Sequence, residues 1–149
     1  MTAPVRFGLV GFGAWGNCHA DAITQTENAE ITAIAAKSEG SCQLARETYL
    51  TASVTSDYHE LVQRADVDVV DIVVPSFLHR DVAIAALEAG KHVLLEKPMA
   101  LTLADCDAIN AAASANDRIL AVGHELRLSS MWRKVKELID DGFIGTPQY

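Results

Sequence analysis

The run Gly11-Phe12-Gly13-Ala14-Trp15-Gly16 stands directly behind the apolar stretch Val5–Val10. A strand followed by G-x-G-x-x-G and then a helix restricts the fold more than any other feature of the chain, because each glycine answers a separate steric demand. Gly11 lets the chain turn sharply off the strand. Gly13, without a Cβ, lets a pyrophosphate approach the backbone. Gly16 lets the following helix pack tightly on the sheet, with its free N–H groups and positive dipole end aimed at the phosphates. A ligand-free strand-to-helix turn is the competing explanation. The order of strand, glycines and helix within one short segment favours the phosphate site.

The remaining sequence alternates strands and helices. Val5–Val10 is predicted as a strand, Trp15 to about Gln25 as a helix, Ile31–Ala36 as a strand, Cys42–Tyr49 as a short helix and Ala52–Thr55 as a brief strand. Asp57-Tyr58-His59-Glu60 has the pattern of a capping box opening another helix. Val67–Val74 is a nearly continuous β-branched run, as expected of a strand buried on both faces of a parallel sheet. His79–Ala89 is an Ala-rich helix closed by Gly90, and His92–Leu95 the next strand. Thr102-Leu103-Ala104-Asp105 is a second capping box for a helix reaching about Ala115, and Ile119–Val122 a sixth strand. Such alternation implies right-handed βαβ crossovers: an α/β fold with a doubly wound parallel (Rossmann) sheet, in the order 3-2-1-4-5-6.

Composition removes several partner classes. Half of the 149 residues are apolar and 21% charged, with a net charge of −8, as in an ordinary globular domain. An acidic surface repels phosphate backbones and anionic lipid, so neither nucleic acid nor a membrane is expected as a partner. Three scattered cysteines, Cys18, Cys42 and Cys106, suggest free thiols in a reducing compartment. With no membrane-length apolar run, and no room for a signal peptide ahead of the first strand, a soluble cytoplasmic protein is expected.

From residue 124 the character changes. Ser129 to Asp141 reads as an amphipathic helix with Trp132, Val135, Leu138 and Ile139 on one side. Gly142-Phe143-Ile144-Gly145-Thr146-Pro147 reads as a turn, and Gln148-Tyr149 as the start of a strand. The expected division is a dinucleotide-binding domain over residues 1–123, and a connecting helix and strand start over 124–149 leading to a domain beyond.

Further motifs follow the strands: Val74-Pro75-Ser76-Phe77-Leu78-His79 the fourth, Glu96-Lys97-Pro98 the fifth, Gly123-His124-Glu125-Leu126-Arg127 the sixth, with Gly142-Phe143-Ile144-Gly145 later. With the glycine loop, these resemble the glucose–fructose oxidoreductase / inositol dehydrogenase (Gfo/Idh/MocA) family across essentially the whole chain, Glu96-Lys97-Pro98 being the most specific part. The resemblance implies an NAD(P)-dependent oxidoreductase acting on sugars, cyclic polyols and related alcohols. It also implies a second α/β domain that carries the substrate pocket, much of a homo-oligomer interface, and an Asp and a His completing the catalytic set.

By that resemblance Lys97 is the catalytic candidate, beside the nicotinamide and the reacting hydroxyl. A fixed ammonium there stabilises negative charge on the substrate oxygen and lowers the pKa of a nearby base. Glu96 either orients Lys97 or contacts the nicotinamide ribose, and Pro98 is often cis in such loops. Pro75 and Ser76 are expected against the cofactor's pyrophosphate and ribose. His79 either joins them or begins the next helix as a structural residue. Gly11, Phe12, Gly13, Ala14, Trp15 and Gly16 form the cofactor loop, with Trp15 covering the cofactor or packing under it. Arg127 is read as functional and His124 as structural. His19 is read as packed or phosphate-neighbouring, and His59 and His92 as structural. The histidines show no metal-ligand spacing.

The choice of dinucleotide lies at the end of the second strand. About 20 residues past the glycines, NAD enzymes usually carry an acid that binds both ribose hydroxyls. Here the position falls on Ala36, followed by Lys37 and Ser38, which suit a 2′-phosphate and favour NADP. A shift of the loop would bring Glu39 to the ribose instead and favour NAD. The leading expectation is the cofactor half of a sugar/polyol oxidoreductase. The alternative is a non-catalytic or truncated NAD(P)-binding module.

Overall fold

The computed structural model describes residues 3–148. Six parallel strands form one sheet: β1 Val5–Val10, β2 Ala29–Ala35, β3 Ser53–Thr55, β4 Val69–Ile72, β5 His92–Glu96 and β6 Leu120–Gly123. Their order is β3-β2-β1-β4-β5-β6, the expected doubly wound arrangement. The helices are α1 Ala14–Thr24, α2 Glu39–Thr48, α3 Tyr58–Val62, α4 His79–Glu88, α5 Leu103–Ala115 and α6 Ser130–Asp140.

Side-chain alternation along the strands sends residues to two cores. Val10, Ala33, Ala35, Val70, Ile72, Val93 and Leu95 pack with Leu61, Val82, Leu87 and Ile109 from α3, α4 and α5. Leu9, Ile31 and Ile34 pack on the opposite face with Ala20 and Ile23 of α1 and Cys42 and Ala45 of α2. Period-2 alternation therefore places Asp71, between Val70 and Ile72, on the α1 face.

Capping explains where helices differ from expectation. Helix α2 begins at Glu39, ahead of the expected Cys42, because the Ser38 hydroxyl accepts the Ser41 N–H at 3.1 Å. At α3 the reciprocal box does not form. Asp57 accepts the His59 N–H at 2.9 Å, while the Glu60 carboxylate takes the Thr55 hydroxyl. Thr102 accepts the Asp105 N–H at 3.1 Å. Gly90, with φ +77°, closes α4 through Gly90 N–H to Leu87 O and Lys91 N–H to Ala86 O, a paired C-terminal cap.

Helix α6 forms as expected, yet none of its residues is buried. Trp132 and Val135 remain 47% and 39% exposed. Gln148 joins no strand, and Tyr149, the rest of that expected strand, lies outside the described residues.

Truncation should therefore discriminate core from appendage. Leu95→Ala, at a fully buried position, is expected to cost about 2–5 kcal/mol in denaturant unfolding. Trp132→Ala on α6 should cost about 1 kcal/mol or less. Equal losses would contradict this division of the packing.

Candidate functional site at the carboxyl edge of the sheet

Parallel strands deliver the ends of β1, β2, β4, β5 and β6 to one edge, where doubly wound sheets hold ligands. The turn off β1 is tightly constrained. Gly11 has φ +102°, and a Cβ there would strike the Val73 carbonyl of the segment leaving β4. A Cβ on Gly16 would strike the Gly11 carbonyl. These contacts bring the start of α1 down onto the sheet. Gly13, the N-cap of α1, supplies no side-chain cap, and no acidic residue stands in the first turn. A Cβ at Gly13 would meet nothing within 4 Å. Among the described residues no side chain caps the first N–H groups of α1, and the space beside Gly13 is open.

Beside this turn lies a cleft of about 360 Å³ lined by Trp15, Val73, Val74, Glu96, Lys97 and Glu125. The Lys97 side chain is half exposed, with its Nζ 4.0 Å from Glu125 Oε1. The Lys97-Pro98 peptide is cis. A larger cleft of about 720 Å³ lies at the opposite edge, lined by Arg6, Glu30, Asp68 and His92 among others. There the Arg6 guanidinium already engages Asp68 through two hydrogen bonds of 2.9 and 2.6 Å and draws the Asp68 carboxyl down to about 2.

Beneath the first cleft three ionisable side chains meet. His19 on α1 places Nδ1 2.8 Å from Asp71 Oδ2 and Nε2 3.3 Å from Glu96 Oε1. Asp71 is 1% and Glu96 7% exposed. The hydrogen bond to Asp71 raises the His19 pKa above its ordinary 6.5; burial opposes the rise, and the charges of Asp71 and Glu96 add to it. Glu96 Oε2 accepts the Lys97 backbone N–H at 3.0 Å. Asp71 Oδ1 is buried with no hydrogen-bond partner among the described residues.

The other candidates are dispersed along the edge. Phe12 is buried in the α1-side core and packs edge-on against Tyr49. Ala14 and Trp15 are exposed at the start of α1. Pro75 and Ser76 lead into a 3-10 turn, Ser76–Leu78. His79 does not face the cleft. It is 1% exposed, with Nε2 2.9 Å from Val74 O and Nδ1 2.7 Å from Pro98 O, tying the loop after β4 to the loop after β5. Lys37 and Ser38 are exposed after buried Ala36. Glu39 pairs with Arg46 at 3.1 Å along α2. His124 and Arg127 are exposed and outside the cleft lining, whereas Glu125 between them lines it.

Asp71 and Glu125 are absent from the sequence-based candidates. An acid inside Val67–Val74, a run expected to be buried on both faces, was the available signal for Asp71. Nothing in the sequence distinguished Glu125 from its neighbours.

A doubly wound sheet with an uncapped glycine turn at its carboxyl edge defines a dinucleotide-binding α/β domain. Residues 5–124 match the oxidoreductase family with NAD-binding Rossmann fold, Gfo/Idh/MocA, and the chain belongs to that family. It is 36% identical over 146 residues to inositol 2-dehydrogenase of Salmonella typhimurium, covering 96% of this chain and 44% of that protein. Apo scyllo-inositol dehydrogenase from Lactobacillus casei superposes with a TM-score of 0.88 at 32% identity, over 97% of this chain and 44% of that one. Biliverdin reductase from Synechocystis, solved with biliverdin and NADP+, gives 0.86 at 28% identity, over 93% and 43%. The chain thus spans less than half the length of these relatives. Among the described residues no helix is long and apolar enough to cross a membrane.

The glycines should respond differently to alanine. Gly11→Ala meets both a positive φ and a carbonyl, and is expected to lower thermal stability clearly. Gly13→Ala, with open space around it, should leave the melting temperature nearly unchanged. Equal destabilisation by the two would contradict the description of the turn.

Proposed function

We propose that this chain is the cofactor-binding half of an NADP-dependent oxidoreductase that interconverts a secondary alcohol and a ketone on a sugar or cyclic polyol. The observation that carries this is the uncapped start of α1, open at Gly13, on the same sheet edge as the cleft holding Lys97. Unpaired helix N–H groups and an absent Cβ fit a pyrophosphate. The inositol dehydrogenase relatives support the polyol class.

The bound dinucleotide supplies hydride exchange at its nicotinamide. Residues Gly11 to Gly16 would hold the pyrophosphate through backbone N–H groups, and Trp15 and Val74, which line the cleft, would shield the nicotinamide from water. Pro75 and Ser76 border the ribose. Lys97 would present its ammonium to the substrate oxygen, where negative charge develops as the hydroxyl passes its proton to a general base, assigned by the family resemblance to the second domain. Glu96 fixes the Lys97 backbone.

Ala36, Lys37 and Ser38 support NADP. No acid occupies the end of β2, and Glu39, the competing ribose ligand, is engaged with Arg46 and points along the exposed side of α2. We assign residues 1–123 to the dinucleotide domain and 124–149 to the connection toward a substrate domain. Uncovered apolar residues on α6 support that, and suit the homo-oligomer typical of such enzymes. Free cysteines and an acidic surface support a cytoplasmic location and a small-molecule partner.

Calorimetric titration tests the cofactor assignment. NADP should bind more tightly than NAD, by about tenfold to a hundredfold if one charge-assisted contact decides the difference. Lys37→Glu should reverse the order through repulsion of the 2′-phosphate. Tighter binding of NAD by the unaltered chain would overturn it.

Lys97 has its own test. In the enzyme containing this segment, Lys97→Ala is expected to reduce kcat about a hundredfold or more with dinucleotide affinity retained. Lys97→Arg should also fail, since a planar fork cannot replace a compact ammonium at one oxygen. Near-normal turnover by Lys97→Ala would contradict the role.

A further inference from the structure

His19 stands between two carboxyl groups that belong to different strands. Asp71 comes from the interior of β4 and Glu96 from the end of β5, and these are the charged groups facing the imidazole from the elements packed against it. Trp15, one turn back on α1, meets the His19 ring edge-on with centroids 6.1 Å apart. Nδ1 stands 2.8 Å from Asp71 Oδ2, and Nε2 faces Glu96 Oε1 at 3.3 Å. A neutral imidazole carries one N–H and one lone pair, so it would turn that lone pair toward one carboxylate oxygen. Between two carboxylates, the imidazolium, with two N–H donors, is the form that matches both sides.

Two nearly buried carboxylates this close would repel each other strongly without a cation between them. The chain makes room for the arrangement. Glu96 pairs in register with Gly123 of β6, and a Cβ at Gly123 would stand 3.2 Å from Glu96 Oε1. Glu96 passes the constraint on, because its other oxygen accepts the Lys97 peptide N–H at 3.0 Å. The start of the Lys97 loop is thereby tied, through Glu96, to a helix packed on the other side of the cleft.

We propose that His19 is a positioning residue for Lys97, acting as an imidazolium that locks Glu96 between Asp71 and the Lys97 backbone. The significance for turnover rests on the reading of Lys97 as the ammonium at the substrate oxygen; the linkage itself does not. Protonation links this device to pH. The raised His19 pKa means the proton's contribution is complete below the ordinary 6.5 and is lost as pH rises through the higher folded value. Above that value Asp71 and Glu96 are left facing each other without a cation, and Glu96 loosens from Lys97.

Nitrogen-15 NMR of the unaltered 149-residue chain tests this without cofactor or substrate. Both His19 ring nitrogens should remain protonated at a pH above the ordinary imidazole value of 6.5, and the Lys97 amide resonance should move with the His19 midpoint. In Glu96→Gln the Lys97 amide should cease to follow His19. In Asp71→Asn, or by the same titration in His19→Gln as the blank, the high midpoint should fall or vanish. Titration of His19 at or below the ordinary 6.5, or a Lys97 amide indifferent to the His19 midpoint, would overturn the proposal. Failure of the dinucleotide reading would appear in calorimetry and leave these signals unchanged.

Discussion

The left-handed turn at Gly11, pressed against the Val73 carbonyl, is the constraint on which the site depends. With φ at +102° and no space for a Cβ, the chain leaves β1 and enters α1 within two residues of the β4 end. Gly16, closed over the Gly11 carbonyl, then sets the tilt of α1 on the sheet. That tilt has two consequences. The start of α1 is left without a side-chain cap beside the open space at Gly13, and the next turn carries His19 down to Asp71 and Glu96. The open helix start proposed for phosphate and the buried ionic trio are two products of one packing contact.

Electrostatics divides this edge into complementary parts. An uncapped helix N-terminus and the exposed cations Lys37 and Lys97 suit an anionic dinucleotide, even though the whole chain carries −8. Under the cleft the charges are arranged for holding, with Asp71 and Glu96 nearly excluded from water and His19 between them. A buried ion cluster gains little net stability over apolar packing, and its loss of one partner is costly. Such a cluster makes sense where orientation is needed, here at the peptide leading into Lys97. His79 joins the loops after β4 and β5 through the carbonyls of Val74 and Pro98.

Much of this was legible in the residues themselves. Strand β1 and the glycine run were readable because Gly11, Gly13 and Gly16 each meet a local steric demand. The strand order followed from alternation and crossover handedness. Helix α2 began earlier than expected because Ser38, read only as a phosphate ligand, is also its cap. Asp57-Tyr58-His59-Glu60 matched a capping pattern, yet Thr55 captured Glu60. The meeting of His19, Asp71 and Glu96 was not legible, since it joins three elements distant in sequence through register and helix tilt. His79 likewise could be placed only once the cleft had walls. The apolar side of α6 was visible in the pattern, while its lack of cover could be seen only in three dimensions.

The central claim is that the dinucleotide binds at the carboxyl edge, from the Gly13 cradle across to Lys97. Mapping amide resonances of the 149-residue chain during NADP titration tests it most directly. The account predicts the largest shifts at Gly13 to Gly16, at Lys37 and Ser38, and at Lys97. Shifts confined to Arg6, Asp68 and His92 around the opposite cleft, or no saturable shift anywhere, would contradict it.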